Sequence, residues 1–212
     1  MRDPSFVHLR LHSEYSIVDG IVRLDAAVAA AADDGMPALA LTDLANVFGM
    51  VKFYREACAR GVKPIIGCDV WIANEADRDK PYRLLLLCQS RAGYLRLCEL
   101  LTRAYRTNQH RGRAELRKAW FAGTGTGGLI ALSGAHHGDL GQALATGNEQ
   151  QASKLAREWQ GLFPERFYLE LQRLESGAMT SVAASVPIET CVQGAVRLAS
   201  ALKLPVVATH PV

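Results

Sequence analysis

The stretch Phe6-Val-His-Leu-Arg-Leu-His12-Ser-Glu-Tyr-Ser-Ile-Val-Asp19-Gly20 reads as a strand that ends beside a carboxylate. Side chains alternate across a strand, so His8, Arg10 and His12 are expected on one face and Val7, Leu9 and Leu11 on the other. Two imidazoles and a guanidinium aimed one way, next to Asp19, suggest the edge of a metal or phosphate site. Arg10 argues against the metal, because a guanidinium keeps its proton and offers no lone pair.

Outward from this strand, short β-rich runs alternate with amphipathic helical stretches, the pattern of a parallel α/β fold. The expected strands are Phe6–His12, Ala38–Asp43, Lys63–Ile72, Tyr82–Gln89, Gly128–Ser133, Phe167–Gln172 and Pro205–His210. The expected helices are Leu24–Asp34, Phe48–Arg60, Ala92–Arg106, Arg113–Trp120, Asp139–Ala145, Glu149–Phe163 and Ile188–Leu202. Gly35-Met-Pro37, Gly61-Val-Lys-Pro64 and Leu204-Pro205 punctuate helix ends before strands, as capping glycine and helix-stopping proline do. Seven strands with helices between them favour an α/β barrel over a flat doubly wound sheet. Gly123-Thr-Gly-Thr-Gly-Gly128 precedes a strand and opens no helix, so it reads as a flexible connector and not a phosphate loop. Ser176–Pro187 reads as a surface loop.

The chain has 212 residues, 49% of them hydrophobic and 21% charged, and a formal net charge of +3. That is enough chain for one sizeable core, and too little positive charge for a dedicated nucleic-acid-binding domain. The five cysteines, Cys58, Cys68, Cys88, Cys98 and Cys191, lack metal-type pair spacing and are odd in number, so they read as reduced, mostly buried thiols of a cytoplasmic protein. The longest apolar run, Leu84 to Cys88, is far too short to span a bilayer. One domain over residues 1–212 is expected. The last strand stops abruptly at Val212, which points to the front portion of a longer chain.

In an α/β barrel the strand C-termini converge on one mouth. They would bring together His12, Asp43, Asp69, the Cys88–Gln89 region, Ser133–Gly134, Glu170 and His210. Imidazoles and carboxylates gathered there could hold divalent metals. Asp43 has an equal alternative as the N-cap of the following helix. His136-His137 is expected in a solvated loop. The basic run from Arg103 to Lys118 reads as a solvated helix–loop–helix, with contact to nucleic acid or an acidic partner as the alternative.

With these residues assembled, the chain resembles the N-terminal polymerase-and-histidinol-phosphatase (PHP) domain of bacterial DNA polymerase III alpha subunits. The resemblance lies in the opening stretch, in Gly35-Met-Pro-Ala-Leu-Ala-Leu-Thr-Asp43, in Gly49-Met-Val-Lys-Phe-Tyr54 and in Lys63-Pro-Ile-Ile-Gly67. It continues through Leu132-Ser-Gly134, Phe167-Tyr-Leu-Glu170-Leu171 and Leu204-Pro-Val-Val-Ala-Thr209. It implies a distorted seven-stranded TIM-like barrel whose active members bind up to three divalent metals and hydrolyse phosphoesters. Motif by motif, it implies vestigial metal positions at Arg10, His12, Asp19, Asp43, Leu44, Asp69, Arg83, Ala135, His210 and Pro211. Only His12, Asp19 and Asp69 keep usable donors, and Arg10 and Arg83 could pair with Asp19 and Asp69 instead.

The resemblance therefore implies a non-catalytic scaffold with no cofactor, acting in DNA replication and docking the proofreading exonuclease subunit. Its other partners would be the remaining domains of the polymerase chain, with DNA touched only indirectly and no membrane. The fragment alone is expected to lack both polymerase and phosphoesterase activity. The alternative is a residual phosphoesterase holding one Zn, Mn or Mg ion at His12, Asp19 and Asp69.

Overall fold

Lys63–Ile72 is the longest strand, and its side chains divide cleanly between two faces. The computed structural model describes residues 6–123, 125–173 and 188–210. Its elements run α1 (Leu24–Asp33), β1 (Ala38–Leu41), α2 (Met50–Ala59), β2 (Lys63–Ile72), β3 (Tyr82–Cys88) and α3 (Arg91–Thr107). Then come β4 (Gln109–His110), β5 (Arg113–Leu116), β6 (Leu129–Leu132), α4 (Asp139–Ala145), α5 (Glu149–Leu162), β7 (Phe167–Leu171), α6 (Ile188–Leu202) and β8 (Val206–Ala208). Strand order is β4-β5-β2-β3-β6-β7-β8, with β1 also paired to β2.

The sheet is mixed. β3 runs antiparallel to both β2 and β6, and the other long pairings are parallel. This corrects the expectation of an all-parallel sheet. The residues between β2 and β3 are too few for a helical crossover, so the chain can only turn back.

Alternation along the strands builds two cores. Cys68, Val70 and Ile72 of β2, Leu84 and Leu86 of β3, and Phe167 and Leu169 of β7 face the helices, where they meet Phe121, Trp159 and Phe163. Leu85, Leu87 and Leu132 turn the other way and form an inner cluster with Ala40, joined by Leu9, Ile65, Tyr168 and Val207. A cluster that joins the first segment to the last strand means that the sheet curls around its inner face. Asp69, Arg83 and Glu170 have the same parity as these inward residues, so the pleat alone aims them inside.

Two expected elements are corrected. Phe6–His12 is not a regular strand. Its only bridge is His8 with Leu39. Ala40 N donates to His8 O, and Thr42 N donates to Leu11 O, both at 2.9 Å. Three residues on one side therefore oppose two on the other, a bulge, and the Leu11 amide is taken by Thr42 Oγ1 at 2.9 Å. The expected helix Arg113–Trp120 is instead the second arm of a hairpin, followed by a 3₁₀ turn at Lys118–Phe121. Arg111 and Gly112 both take positive φ, 48° and 78°, the geometry of a tight hairpin turn. Ala114 and Leu116 then bury against β2.

The glycine-rich stretch is also no loose connector where it is described. Thr126 is buried and its hydroxyl donates to Leu162 O at 2.7 Å. Gly128 lies against Gly93 of α3, so that a Cβ on Gly93 would come within 1.8 Å of Gly128 O. The Ser176–Pro187 loop lies outside the described residues. Of the cysteines, Cys68 and Cys191 are buried, Cys88 and Cys98 are half-buried, Cys58 is exposed, and all are free thiols. No helix among the described residues is long and apolar enough to cross a membrane.

The Gly93–Gly128 contact leaves no room for even one methyl group. Gly93→Ala is expected to cost about 3 kcal/mol of stability, read as a lower urea midpoint at unchanged slope.

Candidate functional site

The inner-face positions near one end of the curled sheet are polar. Asp69 comes from β2, Glu170 from β7, and Arg83 from the start of β3, whose reversed direction places its first residues at this end. Arg10 and His12 enter from the bulged first segment, and Asp19 from the tight turn that follows it.

These side chains form one connected network. Arg10 donates through Nε to Glu170 Oε1 at 2.9 Å and through Nη2 to Oε2 at 3.1 Å, a planar two-pronged match. Its remaining Nη1 donates to Asp69 Oδ2. Arg83 Nη1 donates to the same Asp69 oxygen at 2.8 Å, and its Nη2 lies 3.6 Å from Asp19 Oδ2. The Arg83 guanidinium also stacks 3.9 Å from the centre of the Trp71 ring. His12 bridges the two aspartates, with Nδ1 3.1 Å from Asp19 Oδ2 and Nε2 3.4 Å from Asp69 Oδ2. The latter is an attraction of charges without an aligned hydrogen bond.

Neighbours complete the carboxylates. Thr209 Oγ1 donates to Glu170 Oε1 at 2.6 Å, and Gln172 Nε2 does so at 3.2 Å. Ser16 Oγ donates to Asp19 Oδ1 at 2.7 Å. Asp69 Oδ1 and both nitrogens of the buried His136 are left without a protein partner.

The network sets its own protonation. Burial opposes charge on His12, but the carboxylates of Asp19 and Asp69 on either side outweigh it and lift the imidazole to about 9. Burial likewise opposes charge on Asp19, yet His12 and Ser16 hold it down at about 2. Asp69, fully buried, is held far below the usual carboxylate range by Arg10 and Arg83 against the cost of its burial. Arg10, Arg83 and His12 are thus interleaved with Asp19, Asp69 and Glu170. His137 is pushed down to about 4, first by burial and then by His136 and Arg83, so it is uncharged at neutral pH.

Several expected positions fall elsewhere. Asp43 is not an N-cap, because α2 starts at Met50 behind Gly49. Its carboxylate accepts Ser13 N at 2.7 Å and Ser13 Oγ at 3.1 Å, which anchors the turn after His12. Leu44 is buried and gives its amide to Ser16 Oγ at 2.9 Å. Ala135 and His136 are buried in a short 3₁₀ helix, Ala135–His137, packed on α4, so the His-His pair is not in a solvated loop. Gly141 of α4 packs so closely on that turn that a Cβ there would come within 2.0 Å of Ala135 O.

Cys88 and Gln89 lie at the opposite end, beside Lys63 and Pro64, because β3 is reversed. His210 is exposed, and Pro211 lies outside the described residues. Sequence reasoning missed Glu170 as the partner of Arg10, and Thr209 and Gln172 as its supports. Their inward parity on β7 and after β8 was the available signal.

Among the described residues, no group of three or more His, Cys, Asp or Glu is arranged to hold a metal ion. Comparison with known proteins now places the fold. The family model of the PHP domain matches residues 8–174. The chain belongs to the PHP domain family. All of this PHP domain aligns with DNA polymerase III subunit alpha of Neisseria meningitidis serogroup A at 47% identity, covering 18% of that protein. The same subunit of Escherichia coli K12 is 37% identical over the full chain, which covers 17% of it. The PHP domain thus spans less than a fifth of the curated relatives it matches.

Among solved structures, a putative metal-dependent phosphoesterase from Bifidobacterium adolescentis superposes with a TM-score of 0.59 at 9% identity, covering 99% of this chain and 88% of that one. An amidohydrolase from Chromobacterium violaceum, solved with bound sulfate and no metal, gives 0.62 at 14% identity, with 97% and 86% covered. At these identities the likeness is one of fold alone.

Two outcomes test the network. Arg10→Met leaves Asp69 and Glu170 facing each other in a buried site, and is expected to cost about 3–5 kcal/mol in urea unfolding. Adding Glu170→Gln to Arg10→Met is expected to recover much of that loss, since Arg83 and His12 then still pair with Asp69 and Asp19.

The pH dependence has two arms. A pKa raised by folding stabilises the protein below its unfolded value, so the His12 contribution is complete below 6.5 and is lost as pH rises through about 9. The depressed Asp19 contributes fully above 3.8 and loses its effect as pH falls toward about 2. The melting-temperature gap between the native chain and His12→Gln is therefore expected to be widest near pH 4–6.5 and to close above about pH 9.

Proposed function

We propose that this PHP domain is a metal-free structural unit of a DNA polymerase III alpha subunit, serving DNA replication as a scaffold and as a dock for the proofreading exonuclease. The observation that carries the reading is the pair of guanidinium groups on one oxygen of Asp69. A divalent ion needs several convergent lone pairs and negative charge around it. Here one oxygen of the central carboxylate is already taken by both Arg10 and Arg83. The donors do not suit a di- or trinuclear centre, and no hydrolytic step runs through one.

The domain's likeness to part of a replicative polymerase supplies the cellular role, with nucleotidyl transfer assigned to other parts of such a chain. A cytoplasmic location belongs to the same reading. So does closure of the curled sheet into a distorted barrel, supported by the inner cluster that joins Leu9 to Val207.

One observation favours a second reading. Asp69 Oδ1 and the His136 nitrogens are free of protein partners, and three mixed donors can hold a single catalytic ion. Elemental analysis after exposure to excess zinc and manganese separates the two. The scaffold reading expects less than about a tenth of an equivalent retained, as a guanidinium-filled site has no affinity to release on dialysis. One equivalent, lost in His12→Ala or Asp69→Asn, would establish a residual phosphoesterase centre instead. Arg10→His alone is expected to give no phosphodiesterase activity, because Arg83 still occupies Asp69.

A further inference from the structure

The turn that delivers Asp19 to the network shows solvent its largest apolar side chains. Ile17, Val18 and Ile21 are 81%, 82% and 91% exposed. Beside them, Phe48, Val51 and Tyr54 recur every third residue through the turn into α2 and along its outer face, 64%, 61% and 52% exposed. The two sets adjoin. Asn46 Nδ2 donates to Tyr15 O at 3.0 Å, and Lys52 pairs with Glu14 at 2.9 Å while lying over the Tyr15 ring. Scattered exposed apolar residues are ordinary, but six large ones together mark an interaction surface.

Among the described residues, most of the charges around this surface are paired, Arg55 on α2 being the exception. Glu14 pairs with Lys52 and Arg23, and Arg23 also approaches Asp25. An apolar patch with one unpaired cation suits a protein face, and lacks the basic cluster that a phosphate backbone or an anionic bilayer calls for. The choice of occupant rests on the polymerase reading above. The relatives carry this unit within chains more than five times its length. Segments tethered to it act at about millimolar effective concentration, ahead of any free partner.

We propose that the Ile17–Val18–Ile21 tip and the Phe48–Val51–Tyr54 face form one docking surface, covered by an apolar face of the remaining polymerase alpha chain. A partner seated there presses the turn inward, and through Asp19 it holds His12 and Arg83 in place.

The test uses the full-length alpha subunit with Val18→Cys or Val51→Cys, two exposed positions whose substitution disturbs no core. Maleimide labelling of each site is followed by mass spectrometry, before and after unfolding in urea. The proposal expects labelling at least about tenfold slower in the native subunit. Rates within about twofold of each other would overturn it, because the sites would then be open to solvent. Slowing that appears only after the separate exonuclease subunit is added would overturn it equally, by assigning the surface to another occupant. A cell extract holding only a 212-residue product would overturn the polymerase reading itself, and the surface with it.

Discussion

One oxygen of one buried carboxylate organises the mouth of this fold. Asp69 Oδ2 accepts from Arg10 and Arg83 and lies within 3.4 Å of His12. Each of those groups reaches on to a second acid, Arg10 to Glu170, and Arg83 and His12 to Asp19. The bulged first segment, β2, β3, β7 and the turn at Asp19 therefore meet at a single charge. In a low-dielectric interior such a cluster holds only as a whole, because every member is both a desolvation cost and another member's compensation.

The backbone makes this possible through parity. Strand positions that bury Leu85, Leu87 and Leu132 on the inner face also aim Arg83, Asp69 and Glu170 inward, one pleat further along. The apolar layer and the ionic layer therefore lie one after the other along the same face of the sheet. Asp43 performs a quieter task, tying the Ser13 backbone so that His12 and Asp19 arrive from the correct side.

Much of this was legible in the residues. Leu84-Leu85-Leu86-Leu87 is apolar on both faces, as a central strand must be, and the opposition of Arg10 and Arg83 to Asp69 followed from charge balance once the family resemblance had brought the three to one mouth. What escaped was set by distant contacts. Arg10 and Glu170 are 160 positions apart, and no local pattern pairs them. The bulge at the first segment depends on a Thr42 hydroxyl replacing a backbone acceptor. Arg113–Leu116 has the composition of a helix, yet the Arg111-Gly112 turn and pairing to β2 override that propensity. The reversal of β3 was available from its short connection and was overlooked, which misplaced Cys88 and Gln89.

The shared acceptor also restricts how such a mouth can change by descent. Replacing Arg10 alone leaves Glu170 without its cation, whereas Asp69 keeps Arg83 and His12. A path toward a mouth of imidazoles and carboxylates that begins by losing Arg10 therefore crosses a destabilised intermediate. Once two arginines occupy this position, the arrangement acts as a ratchet, held by the interdependence of its parts whether or not any chemistry is being selected.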